Sequence, residues 1–208
     1  MAQDSAAQAP ALPRFPARDD HAHVALEASR AVVALYLQTG STDHPIAALA
    51  AHTGLSERTF YRVFPRKEDA VRPYIEAGLA HVVAAVREAP PDQPLRDALI
   101  DAHGGLLDAS AEGATLLRLL HSDARLRAMW GVVLTDAERA FAEVIALRLG
   151  RSPDSLPARL AGAAVVAAGR LALQRPEAET RSPSQTFAAA LDLLGPVLFA
   201  PRPRSPSW

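Results

Sequence analysis

Residues 41–71 read STDHPIAALAAHTGLSERTFYRVFPRKEDAV, and this stretch decides the fold. Ile46, Leu49 and Ala50 form the inner face of a short helix that Pro45 can start at its first position. In the turn His52-Thr53-Gly54-Leu55, glycine supplies the positive φ that a sharp reversal needs. Ser56 then caps a second short helix running from Glu57 to about Phe64, with Phe60 and Phe64 pointing inward at i,i+4. Two short helices joined by a glycine-containing turn are the layout of a helix-turn-helix.

Working outward, Asp19 or Asp20 caps a helix reaching about Thr39, where Val24, Ala28, Ala31, Val32 and Leu35 make one buried stripe and Gly40 ends the run. Residues 1–18, with Pro10, Pro13 and Pro16, read as a disordered arm. Downstream, Pro65 stops the second short helix, and a longer one is expected from Lys67 to Glu88. After Ala89-Pro90-Pro91 the pattern predicts helices at about 94–110, 112–122, 124–149, 154–175 and 183–199, with 201–208 as a loose tail. Gly195-Pro196 should kink or end the last helix. The organisation expected is therefore an arm (1–18), a DNA-binding domain (19–66), a helical ligand-binding and dimerisation domain (67–200) and a tail (201–208).

Composition supports an all-α protein. Hydrophobic residues make up 49% of 208 and aromatic ones only 5%, with Ala and Leu, both strong helix formers, dominant. The absence of cysteine excludes disulfides, zinc ribbons and thiol chemistry. No unbroken run of about 18 apolar residues and no signal-peptide layout are read, so a soluble, cytoplasmic protein without a membrane partner is expected.

The 22 Lys+Arg and 23 Asp+Glu leave a net charge of −1, which argues against a polybasic protein but not against a local patch. Between residues 58 and 72 the bases are Arg58, Arg62, Arg66, Lys67 and Arg72, against Glu68 and Asp69. Arg58 and Arg62 share a helix face flanked by Thr59 and Tyr61, opposite Phe60 and Phe64. Such a helix fits a major groove.

Thr42, Ile46-Ala47, Ala50, Gly54-Leu55-Ser56, Thr59-Phe60-Tyr61, Phe64 and Lys67-Glu68 together resemble the DNA-binding signature of the TetR family of bacterial regulators. The resemblance implies that Thr42 holds a phosphate at the start of the second helix. Ser56, Arg58, Thr59, Tyr61 and Arg62 would supply the recognition contacts, and Lys67 would pin a backbone phosphate. Arg58 and Arg62 suit base reading, since arginine grips guanine bidentately; Tyr61 is placed for a phosphate or a base. Asp43, Arg58 and Val63 depart from the usual pattern, and the last two alter which bases are read.

The same resemblance implies a homodimer on a duplex operator, a repressor released by a small-molecule effector, and no cofactor or metal. Candidate pocket groups are His103, Leu106, Leu107, Leu117, His121, Met129, Trp130, Val133 and Phe141. For the dimer seam, the Ala/Gly-rich residues 158–173 allow close helix approach, and Phe187, Leu191, Leu194 and Leu198 offer a stripe on the last helix. An enzyme is disfavoured: the seven histidines are scattered, and no HExxH, Walker loop or nucleophile elbow is present. The rival reading is a helical protein-interaction module with a helix-turn-helix shape that no longer binds DNA, supported only by the neutral charge of residues 1–72.

Overall fold

The computed structural model describes residues 18–108, 110–174 and 180–199. Within them the chain is all helical: α1 (Arg18–Thr39), α2 (Ile46–Thr53), α3 (Glu57–Val63), a 3-10 turn (Lys67–Val71), α4 (Arg72–Glu88), α5 (Leu95–Asp108), α6 (Ser110–Ser122), α7 (Ala124–Leu149), α8 (Leu156–Leu173) and α9 (Pro183–Phe199).

The helix ends follow local chemistry. Gly54 takes φ 72° and closes α2, its N–H reaching the carbonyls of Ala50 and Ala51. Pro45 is the residue before the first turn of α2, in extended geometry, and not its first helical residue. The single long helix expected from Lys67 is instead a 3-10 turn followed by α4. Pro73 explains the break: it has no N–H to continue an i→i−4 ladder, so the chain tightens and restarts with proline in the first turn of α4. At the far end, Gly195 adopts φ 65°, ψ 174° and breaks α9 one residue before Pro196, the kink that the dipeptide predicts.

The core has two parts. One gathers Val32 and Tyr36 of α1, Leu49 of α2, Phe60 of α3 and Phe64 just beyond it against Leu120 of α6 and Leu126, Met129 and Val133 of α7. The other joins α4 and α5 to the C-terminal half of α7 and to α8 and α9, through Val86, Leu99, Phe141, Ile145, Val165, Phe187 and Leu191. Burial on this scale contributes roughly 1.5–3 kcal/mol for each large apolar side chain.

Close packing of α7 on α8 depends on Gly162, because a Cβ there would fall 2.3 Å from the Glu138 carbonyl oxygen and 2.7 Å from Ala142 N. Arg148 of α7 ties down the α4–α5 connection, donating to the carbonyls of Ala89 (2.7 Å), Gln93 (2.7 Å) and Pro90 (3.1 Å). Helix α8, by length and composition, is apolar enough to cross a membrane, although no unbroken apolar run marks it in the sequence. Its apolarity has a use inside the fold: Ala158, Ala161, Val165, Ala168 and Ala172 are buried where it packs between α7 and α9.

Candidate nucleic-acid interface and interior cavity

Two buried rings set the orientation of α3. Phe60 and Phe64 meet edge to face at 5.1 Å between centroids inside the N-terminal core. Their burial turns the opposite face outward, and Arg58, Tyr61 (51% exposed) and Arg62 all stand in solvent. Neither arginine forms an ion pair among the described residues. By contrast, Arg66 is held bidentately by Asp69 at 2.9 and 3.1 Å, and Arg72 bridges Glu76 (2.6 Å) and Asp136 (3.3 Å). Of the four arginines between 58 and 72, the two on α3 keep the charge free for a partner.

The hydroxyls of Ser56 and Thr59, both expected on this surface, are already engaged locally. Ser56 Oγ accepts the Thr59 N–H at 3.2 Å and lies 2.9 Å from Thr59 Oγ1, so both serve the start of α3. Thr42 is half-buried in the connection before α2. That connection is fastened by His44, whose ring stacks on Tyr36 at 5.8 Å and whose Nε2 lies 3.0 Å from Thr39 Oγ1. Asp43, one of the departures from the usual pattern, is exposed and donates its backbone N–H to Ser41 Oγ at 3.1 Å. Lys67 opens the 3-10 turn near Asp123, the residue capping α7. The Leu126 backbone N–H, foremost, holds the Asp123 carboxyl below its usual range, and Lys67 adds to this through its charge.

An interior cavity of about 540 Å³ lies between α1, α4, α5, α6, α7 and α8. Of the residues expected there, His103, Leu117, Trp130 and Phe141 line it. Met129 and Val133 do not; they lie on another face of α7 and pack into the N-terminal core. His121 is also absent from the wall. Its Nδ1–H donates to the Leu117 carbonyl at 2.7 Å, and its Nε2 lies 2.9 Å from the Gln174 amide nitrogen. The side chains of Leu106 and Leu107 lie outside the described residues.

His103 is 4% exposed, and its Nδ1–H donates to the Leu99 carbonyl at 2.8 Å. The ring lies against Phe187 (4.3 Å) and Phe141 (5.4 Å). Burial lowers its pKa from 6.5 to about 4, so the imidazole is neutral at physiological pH. The wall also takes Leu26 and Arg30 from α1, Tyr74 and His81 from α4, and Gly169 and Arg170 from α8, none of them foreseen. Among the described residues no group of three or more His, Asp or Glu is placed to hold a metal ion.

On the outer side of α8 and α9, Leu156, Leu160, Leu171 and Leu193 are exposed, Leu193 at 90%. The stripe expected on α9 divides: Phe187 and Leu191 turn fully inward, Leu194 is half-buried against the same core, and the side chain of Leu198 lies outside the described residues. The reason is that α9 packs on α5 and α8 through that stripe, leaving Leu193 to face out.

Residues 89–198, more than half of the chain, match the family model TetR_C_14, described as the MftR C-terminal domain. Among solved structures, the chain is similar to a protein of Mesorhizobium loti MAFF303099 assigned to the TetR family of transcriptional regulators. The TM-score is 0.51 at 18% identity, over 86% of this chain and 96% of that one. It is also similar to the TetR family transcriptional regulator PfmR of Thermus thermophilus, with a TM-score of 0.46 at 20% identity, over 87% and 99% of the two chains. No curated protein matches the chain by sequence.

Proposed function

The chain belongs to the TetR family of transcriptional regulators, and on that premise we propose that it is a homodimeric repressor that reads a palindromic operator through α3 and leaves it when a small molecule fills the interior cavity. The observation that carries this reading is the outward face of α3, where Arg58, Tyr61 and Arg62 stand unpaired among the described residues on a helix anchored by Phe60 and Phe64. Arg58 and Arg62 are assigned to base edges, Tyr61 to a base or phosphate, and Thr42 and Lys67 to phosphates. Ser56 and Thr59 shape the start of the helix and add contacts with whatever hydrogen-bonding capacity the cap leaves. The domain division at residues 66 and 67, and action in the cytoplasm where bacterial DNA is read, belong to the same proposal.

The dimer is assigned to the outer faces of α8 and α9. Leu156, Leu160, Leu171 and Leu193 are apolar surface that a second copy would cover, an isologous four-helix contact. Two recognition helices must then lie about 34 Å apart to enter successive major grooves, so a small pivot of each head costs affinity. The pivot is assigned to filling of the cavity; what supports this is a wall that includes Leu26 and Arg30 of α1 together with Tyr74 and Ile75 of α4. The regulator acts by binding and performs no catalysis.

Salt-titrated binding to duplex DNA tests the reading. A dimer that neutralises several phosphates should lose affinity steeply as salt rises, roughly as the 0.9 power of salt for each phosphate contacted. Affinity that is absent at low salt in folded protein would favour the interaction-module alternative.

A further inference from the structure

We infer that the interior cavity takes a chiefly apolar molecule carrying one anionic head group, a carboxylate in chemical class, and that Arg170 holds the head. The inference rests on the reading of this cavity as the effector site and specifies what it selects. Four observations carry it. First, the wall is mostly Leu, Val, Ile, Phe and Trp, and its volume of about 540 Å³ suits a small apolar body. Second, among the described residues the charged side chains on it are Arg30 and Arg170, His81 is also on the wall, and no described Asp or Glu lines it.

Third, the two arginines are not equivalent. Arg30 is paired with Glu27 at 2.7 Å, whereas Arg170 has no ion pair among the described residues. A cation in the cavity would meet this positive charge with no described wall carboxylate to offset it, and an alcohol could accept only through one neutral oxygen. A carboxylate gains charge-assisted hydrogen bonds to the guanidinium. Fourth, the residue before Arg170 is Gly169, also on the wall, where an added Cβ would meet nothing within 4 Å. The missing side chain leaves room on the same wall. Deeper in, His103 is neutral and adds no competing charge, and the buried indole N–H of Trp130 meets no acceptor among the described residues.

Calorimetric titration of the full chain with decanoate and decyltrimethylammonium below their micelle concentrations, and with decanol below its solubility limit, tests the assignment. Decanoate should bind about tenfold or more tighter than decanol, as expected of hydrogen bonds to a charged group. The ammonium compound should not bind, and octanoate should bind about fourfold more weakly for each methylene removed. Arg170→Gln should abolish the preference of carboxylate over alcohol while leaving decanol unchanged. Gly169→Leu, whose Cβ meets nothing within 4 Å and whose side chain takes up cavity volume, should weaken binding of both, with a thermal melt showing that the variant is folded. Equal binding of the ammonium compound, or a carboxylate preference that survives Arg170→Gln, overturns the inference. A chain that binds duplex DNA but takes carboxylate and alcohol equally loses this ligand class and keeps the regulator reading. One that selects decanoate through Arg170 but binds no DNA does the reverse.

Discussion

The hydroxyl oxygen of Ser29, fully buried on α1, accepts the backbone N–H of Tyr74 at 3.0 Å in the first turn of α4. The bond spans 45 residues and satisfies one of the N–H groups that a helix start otherwise leaves unpaired. It joins α1, which precedes the helix-turn-helix, to α4, and both helices contribute to the cavity wall, through Arg30 and Tyr74 among others. Ser29→Ala should cost about 1–2 kcal/mol of stability, since a buried N–H loses its acceptor. Denaturant unfolding of the two proteins measures it, and an unchanged midpoint would show that the bond contributes nothing.

Arg62→Ala should weaken operator binding by about tenfold or more, the loss expected of one bidentate base contact. The side chain is exposed and makes no described ion pair, so the melting temperature and dimer state should not move. Titration of labelled duplex alongside a thermal melt separates the two effects; full affinity in the variant would mean that α3 is presented to DNA by another face.

Two glycines of α8 should respond oppositely. Gly162→Ala places a methyl against Glu138 O and Ala142 N and should destabilise by roughly 1–3 kcal/mol, as overpacking does. Gly169→Ala meets nothing within 4 Å and should stabilise by roughly 0.5–1 kcal/mol through helix propensity. Paired unfolding curves check both signs.

His103 makes stability depend on pH. Its folded pKa, near 4, lies below the ordinary 6.5, so between those values the unfolded chain binds the extra proton. Stability from this group is full above about pH 6.5 and is lost as pH falls toward 4. Wild type should lose about 2 kcal/mol between pH 7 and 5 through His103, at roughly 1.4 kcal/mol per pH unit. His103→Leu should flatten that slope, as unfolding at the two pH values would reveal.

Leu160→Glu combined with Leu193→Glu should convert the dimer to a folded monomer, because both side chains are exposed in the single chain and neither supports its core. Sedimentation at fixed concentration reads the mass, and a dimer that persists would place the seam elsewhere.

What was legible in the sequence was local. Gly54 and Ser56 act within a few residues of themselves, so the turn and the cap of α3 could be read directly, and Gly195-Pro196 likewise announced the break in α9. Pro73 carried an equally local signal for the 3-10 turn, which a reading centred on Lys67 passed over. The cavity was legible only in part. Trp130, Leu134 and Phe141 share one face of α7 and line it, whereas Met129 and Val133 share another and pack with the N-terminal core. Sequence alone shows two apolar faces on that helix without saying what each one meets. The same ambiguity hid which leucines of α9 turn inward. Arg30, Tyr74 and Arg170 come together from three distant helices, and no pattern within any one of them marks that meeting.

Selection of random duplex DNA by the purified protein, with sequencing of what it retains, tests the central claim most directly. The account predicts a palindromic motif whose half-sites are about one helical turn apart centre to centre, lost when Arg58 and Arg62 are both changed to alanine. Folded protein that enriches no sequence at low salt would contradict it.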